Sequence, residues 1–230
     1  MWVASVSKSA AQPVVKSLHA NAGSGLIFHC AGDITIDQRP LPHGVIVLPT
    51  LKTSKSMTLS AGTRLAGIHL TPASGQALIA HSFTQPNALP LEHPLARQLD
   101  RLYRTLCQQT DSAAMLDILQ AWSASGLTPQ QPIPKAIQRA IACIGNDIPA
   151  GALDQHTGMS QRQLERLFSH WLNMTPKFYQ RIARVNKAAQ MLAQPQPSSL
   201  AEIAHACAFS DQAHMTREFR AITHKTPGNW

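Results

Sequence analysis

The sequence predicts an α+β chain of two domains: a small β-barrel or sandwich with appended helices, then an all-α tandem helix-turn-helix domain. Three observations carry that prediction. The first third is a series of short apolar runs broken by Gly, Pro, Asn and Asp, the pattern of compact β-structure. From Lys135 onward, apolar residues recur at helical rather than alternating spacing. That final part also says nearly the same thing twice. Gly151-Ala-Leu-Asp-Gln-His-Thr-Gly-Met-Ser160 leads to Leu164-x-Arg166-x-Phe168 and Thr175-Pro176. Ala201-Glu-Ile-Ala-His-Ala-Cys-Ala-Phe-Ser210 leads to Met215-x-Arg217-x-Phe219 and Thr226-Pro227. Each copy reads as a short helix, a tight turn and an Arg-bearing second helix.

The β-part is expected in the runs Val14–Leu18, Gly25–Cys30, Gly44–Leu48, Ser56–Leu59 and Arg64–Leu70. A short helix fits Pro72–His81. Pro94–Gln108 is amphipathic, with Leu95, Leu99, Leu102 and Leu106 on one face and Arg97, Arg101 and Arg104 on the other. Ala113–Ala124 makes the next helix, through Met115, Leu116, Leu119 and Trp122. These two helices suit packing on the β-domain or on a second subunit. The domains are therefore expected at residues 1–125, 126–134 (a Pro- and Gln-rich linker) and 135–230.

In the last domain Ile137, Ile141 and Ile144 line one helix, followed by helices over 150–157 and 161–172. A connecting helix over 176–193 turns Ile182, Val185, Ala189 and Leu192 inward, and helices over 200–207 and 211–222 complete the second unit. Ser160 with Gln163, and Ser199 with Glu202, have capping-box spacing. Thr175-Pro176 and Thr226-Pro227 place a hydroxyl at the N-cap and proline at the first helical position.

The net charge of +8 and pI near 9.7 suit a polyanionic partner. Residues 133–230 hold 11 Lys and Arg against 6 Asp and Glu, a mild concentration of the excess. The four cysteines, Cys30, Cys107, Cys143 and Cys207, contain no C-x-x-C, which argues against a disulfide framework or a zinc site. Cys107, Cys143 and Cys207 lie in apolar helical patterns and are expected as core thiols. The start, Met1-Trp-Val-Ala-Ser-Val, has no basic region before a long apolar run, and no stretch approaches a membrane span. A cytoplasmic protein without membrane contact is expected.

The apolar stripe Leu164, Leu167, Phe168 and Trp171 must face the core of the first unit, leaving Gln161, Arg162, Glu165, Arg166 and Ser169 outside. In the second unit Met215, Phe219 and Ile222 point inward, leaving Gln212, His214, Thr216, Arg217 and Arg220. Polar groups near the N-terminus of a helix suit base edges in a major groove, where Arg pairs with guanine and Gln with adenine. The candidate DNA-reading residues are thus Gln161, Arg162, Glu165 and Arg166, with Gln212, His214, Thr216 and Arg217.

These residues resemble the DNA-binding domain of the AraC/XylS transcription regulators. The resemblance covers about residues 133–230. It is carried by Gly158-Met-Ser-Gln-Arg-Gln-Leu-Glu-Arg-Leu-Phe168, Thr175-Pro176 with Tyr179, and Arg184-Val-Asn-Lys-Ala188. It continues in Ala201-Glu-Ile-Ala204, Phe209-Ser-Asp-Gln-Ala-His-Met-Thr-Arg-Glu-Phe219 and Thr226-Pro227. It implies base or backbone contacts at Arg162, Glu165, Arg166, Gln212, His214, Thr216 and Arg217. The chain departs from the family pattern at Asp154, at Ala208 in place of a turn glycine, and at Asn173 and His224 in place of glycines before the Thr-Pro pairs. Residues 25–33 and 64–72, before the 73–80 segment, resemble the small cupin-like domain of some members, which implies a sensor or oligomerisation module.

The function expected is a non-enzymatic, sequence-specific transcription regulator of double-stranded DNA that needs no cofactor. RNA polymerase, a small-molecule effector and a second copy of the chain are further candidate partners. Two alternatives stay open. One is a non-specific architectural DNA-binding protein, held through phosphates. The other is a cupin-type metalloenzyme. It is disfavoured because no two histidines form H-x-H and Glu92 is the only glutamate before residue 132, although His29 and His69 lie in strand-like runs that could share an interior. No metal ligand is assigned. A DNA-repair alkyltransferase is excluded, since only Cys30 precedes residue 107.

Overall fold

The computed structural model describes residues 1–230 apart from 82, 125–127 and 197. The expected junction between residues 125 and 126 lies outside the described residues. The chain forms two compact units. One comprises Met1–Leu18, Gly23–Thr50 and Lys55–Pro132; the other comprises Ile133–Trp230 with two short segments, His19–Ala22 and Leu51–Ser54.

The first unit contains β1 (Trp2–Ser5), β2 (Val14–Leu18), β3 (Ser24–Ala31), β4 (Ile34–Ile36), β5 (Arg39–Leu41), β6 (Gly44–Leu48), β7 (Lys55–Leu59) and β8 (Arg64–Leu70). After these come α1 (Ser74–Ile79), β9 (Asn87–Ala88), α2 (Ala96–Cys107) and α3 (Ser112–Ala124). Among the described residues all pairings are antiparallel. One sheet runs β1-β8-β3-β6-β9 and the other β2-β7-β4-β5. Strand β3 explains why its sequence reads as a continuous apolar run. Ile27 joins Ile34, Ile46, Met57, Leu59 and Leu65 in the cluster between the sheets. Its neighbours Leu26 and Phe28 point the other way and pack with Leu99, Leu102, Leu106, Met115 and Leu119 of α2 and α3. A strand covered on both faces has no reason to alternate with polar residues.

Strands β1, β4, β5 and β9 were not foreseen. The last three are two or three residues long, too short for a period-two pattern to emerge. The β4–β5 hairpin turns through Asp37 and Gln38, both at positive φ. His29 and His69 do not share an interior. His29 is buried opposite Leu65, whereas His69 is exposed four residues further along β8, opposite Gly25. The partner of His29 is His43, with ring centroids 4.3 Å apart. Both imidazoles place Nε2 at 2.9 Å from the Gly32 carbonyl oxygen.

The second unit is helical: α4 (Lys135–Gly145), α5 (Leu153–Thr157), α6 (Gln161–Leu172), α7 (Pro176–Leu192), α8 (Leu200–Ala206) and α9 (Gln212–Thr223). The helix expected over 150–157 is split. A 3₁₀ turn covers Ala150–Ala152 and α5 begins at Leu153, in keeping with Pro149 and the poor helix former Gly151. Likewise Thr226-Pro227 opens only a single 3₁₀ turn, with no side-chain cap. Of the three cysteines expected in cores, Cys207 is buried, while Cys107 and Cys143 remain partly exposed.

Candidate nucleic-acid interface

Two local devices set the start of α6. Gly158 takes the left-handed conformation, φ 69°, that ends α5 and reverses the chain. Ser160 then caps α6: its Oγ accepts from the Gln163 backbone N–H at 3.4 Å, and Gln163 Oε1 accepts from the Ser160 N–H at 2.9 Å. Gln163 is therefore committed to the helix end. The apolar stripe seats the helix, with Leu164, Phe168 and Trp171 buried and Leu167 half-buried. Gln161, Arg162, Glu165 and Arg166 are all exposed. They fall within the first two turns, where i, i+3 and i+4 spacing makes them neighbours.

The second unit repeats the plan with different chemistry. Ser199 and Glu202 form the capping box of α8. The hydrogen bond from the Ser199 backbone, then that from its hydroxyl, lowers the Glu202 carboxyl below its usual range. Ala208 occupies the turn at φ 55°, the left-handed position held by Gly158 in the first unit. Asp211 caps α9, accepting from the His214 backbone N–H at 2.6 Å. That bond is the main reason its carboxyl is also held low. The helix expected over 211–222 thus starts one residue later, with Asp211 outside it as the N-cap. The preference of aspartate for N-cap positions could have identified it, but no Glu or Gln stands at N3 to complete a box.

Met215, Phe219 and Ile222 are buried as expected, and Gln212 and Arg217 are exposed. The other two candidates have partners within the protein. The ring of His214 sits edge-on to Phe209 at 5.5 Å, and its Nδ1 accepts from the Ser210 backbone N–H at 3.3 Å. The Thr216 hydroxyl donates to the Gln212 carbonyl at 2.9 Å. Both are half-buried.

The exposed charged residues of α6 and α9 are mostly basic, with Glu165 of α6 the exception. Glu218 and Asp147 pair with Arg181 and Lys187, while Glu202 and Asp211 are spent on helix caps. Arg162, Arg166, Arg217 and Arg220 are left exposed on α6 and α9. Between these helices runs α7, whose 17 residues span about 26 Å at the usual helical rise. Thr175 caps it through the Phe178 N–H at 3.2 Å, with Pro176 at the first position. Among the described residues no group of three or more His, Cys, Asp and Glu is placed to hold a metal ion.

Two capped, solvent-facing helices, each following a short helix and a left-handed turn, define a tandem helix-turn-helix domain. Residues 153–230 match the family model described as a helix-turn-helix domain. Over 97 residues the chain is 35% identical to the HTH-type transcriptional regulator ArgR of Pseudomonas aeruginosa, a match covering 41% of this chain and 29% of that protein. The chain thus spans less than a third of that relative. A crystal structure of a transcriptional regulator from Chromobacterium violaceum, described among AraC-type DNA-binding domain-containing proteins, is 31% identical. It covers 40% of this chain and 86% of its own, with a TM-score of 0.38. Unsaturated fatty acid bound wild-type ToxT of Vibrio cholerae shares the overall fold, with a TM-score of 0.52 at 9% identity over 98% of this chain and 92% of its own. Over residues 153–230 the C-terminal unit is thus similar to a helix-turn-helix domain.

Proposed function

We propose that this protein is a transcription regulator that recognises specific duplex DNA, with α6 and α9 entering successive major-groove segments. The observation that carries the reading is the paired arrangement. Two helices seated by buried stripes present Gln161, Arg162, Glu165 and Arg166, and Gln212 and Arg217, on their solvent-facing first two turns. A connecting helix of about 26 Å is of the right order for grooves one helical turn, roughly 34 Å, apart when the DNA bends. His214 and Thr216 contribute as rim residues, since their polar groups already hold the turn and the helix backbone.

The first unit fits a sensor role. Its two-sheet fold with packed helices is shared with a protein whose structure holds an unsaturated fatty acid. A small-molecule effector acting there belongs to the same reading, as do a cytoplasmic location and RNA polymerase or a second copy as protein partners. Among the described residues no helix is long and apolar enough to cross a membrane.

Selection of bound sites from a random duplex pool at physiological salt tests the reading. The expected result is an enriched, asymmetric motif of two blocks about one helical turn apart. Binding without enrichment, with a steep salt dependence, would instead make the chain an architectural DNA-binding protein.

A further inference from the structure

Part of the segment read from sequence as a linker is tied down within the first unit. Helix α1 is six residues long, too short to persist in water without tertiary support. Its two flanking residues are alanines in the left-handed conformation, Ala73 at φ 67° and Ala80 at φ 51°, which disfavours any residue with a Cβ. Leu78 and Ile79 bury one side of α1 in the apolar cluster shared with α2. Gly75 lies so close to the start of β3 that an added Cβ would stand 1.9 Å from Ser24 Oγ. At its end α1 has carbonyls that no later turn receives. Residues far along the chain meet them instead. The Ala77 carbonyl accepts from the backbone N–H groups of Gln130 at 2.8 Å and Gln131 at 3.2 Å. The Gln76 carbonyl accepts from Gln131 Nε2 at 3.2 Å. His93 closes the same end. Its Nδ1 accepts from the Leu95 N–H at 3.1 Å, so its Nε2 carries the proton and donates to the Ile79 carbonyl at 2.7 Å.

The chain that follows is tied to α4. Gln138 Nε2 donates to the Ile133 carbonyl at 3.0 Å, and the Gln138 N–H donates to the Pro134 carbonyl at 3.1 Å. Pro132 alone separates the stretch held by α1 from the stretch held by α4. We propose that α1 and residues 130–131 form one cooperative strap, a conformational switch in which the segment before α4 is docked only while α1 is seated. Docking and seating share the same hydrogen bonds, so each stabilises the other by the same factor. With α1 seated, the link into α4 is a single proline of fixed φ. With α1 displaced, that link gains Gln130 and Gln131 as free chain. A molecule that takes the place of Leu78 and Ile79 in the apolar cluster therefore lengthens the link without touching α4.

The strap stands independently of the DNA-reading proposal. Amide hydrogen exchange of the full chain, followed residue by residue by NMR, tests it. In the wild-type chain the Gln130 and Gln131 N–H groups are expected to exchange about tenfold or more slowly than in an unstructured peptide. The Ala77 N–H, which donates to the Ala73 carbonyl at 3.0 Å, reports on α1 itself. Gly75→Ala pushes α1 away from Ser24 and should speed exchange at Ala77, Gln130 and Gln131 by one common factor, with the Leu102 amide of α2 unchanged. Ala80→Gly relieves the left-handed alanine and should slow the same three amides together. Gln131→Ala runs the coupling in reverse: Ala77 should exchange faster although no residue of α1 has changed. Peptide-like exchange at Gln130 and Gln131 in the wild-type chain would overturn the proposal. So would an α1 variant that moves Ala77 alone, or a Gln131→Ala chain in which Ala77 keeps its rate.

Discussion

Arg181 on α7 clasps Glu218 on α9 with two parallel hydrogen bonds, from Nε to Oε2 and from Nη2 to Oε1, the latter 3.1 Å long. The same guanidinium lies over the Phe178 ring at 5.1 Å. In the repeat, Glu218 corresponds to Leu167 of α6, which is apolar and half-buried. The two outer helices are therefore held differently: α6 by an uninterrupted apolar stripe, and α9 by a stripe plus a partly buried ion pair.

Removing one member of that pair leaves the other charge without its partner. Glu218→Gln or Arg181→Met is expected to destabilise the chain by about 1–3 kcal/mol, read as a lower denaturation midpoint. The exchanged pair, Arg181→Glu with Glu218→Arg, should recover part of the loss. Amide hydrogen exchange should rise in α9 and not in α6. A uniform rise in both helices would show that the clasp holds the whole domain rather than α9 alone.

Ala208 adopts φ 55° in an exposed turn, and its N–H bonds to the His205 carbonyl at 3.0 Å. A left-handed non-glycine residue costs about 1–2 kcal/mol, and replacement by glycine gives back about 0.4–1 kcal/mol through the unfolded chain. Ala208→Gly should therefore stabilise by about 0.5–1 kcal/mol. An unchanged or lower thermal midpoint would mean that the alanine methyl contributes packing that outweighs its strain. Asn173, at φ 53°, should gain less, because asparagine tolerates this conformation.

Arg166 and Arg217 are exposed on the outer faces of α6 and α9. On the selected DNA site, alanine at either position should cost about 1–3 kcal/mol, and less on random duplex. Titrations on both DNAs by fluorescence anisotropy check this. Equal losses would assign the two arginines to phosphate rather than to base edges.

The cap of α9 should respond to acid. Asp211 is held below its ordinary value of 3.8, chiefly by the His214 N–H. A carboxyl depressed in the folded state contributes fully above its unfolded value, and that contribution disappears as pH falls through the folded one. The start of α9 should accordingly loosen below about pH 4, seen as faster amide exchange at His214 relative to mid-helix residues. Asp211→Asn keeps an accepting oxygen and should remove this pH dependence, whereas Asp211→Ala should loosen the start at every pH.

The C-terminal helices were legible because their determinants are local. A serine and an acceptor three residues on make the same capping box in any context, and the boundaries of α6 matched the pattern of its own residues. Asp211 was missed where that motif is incomplete. In the N-terminal unit, β2, β6 and β8 coincided with runs of their own composition, but β4 and β5 carry three residues each, and Pro40 within β5 weakens any strand signal. Their identity depends on β7, which supplies the neighbouring ladder for β4.

The order of amino acids alone determined the helical repeat, its two capping boxes, its buried stripes and the exposed arginines, since each follows from residues within one or two turns of one another. Tertiary structure decided which distant groups meet: Arg181 with Glu218, His29 with His43, and Arg64 with the Cys107 carbonyl. Such meetings depend on strand register and helix docking, which are set by the burial of whole faces and leave no trace in local spacing.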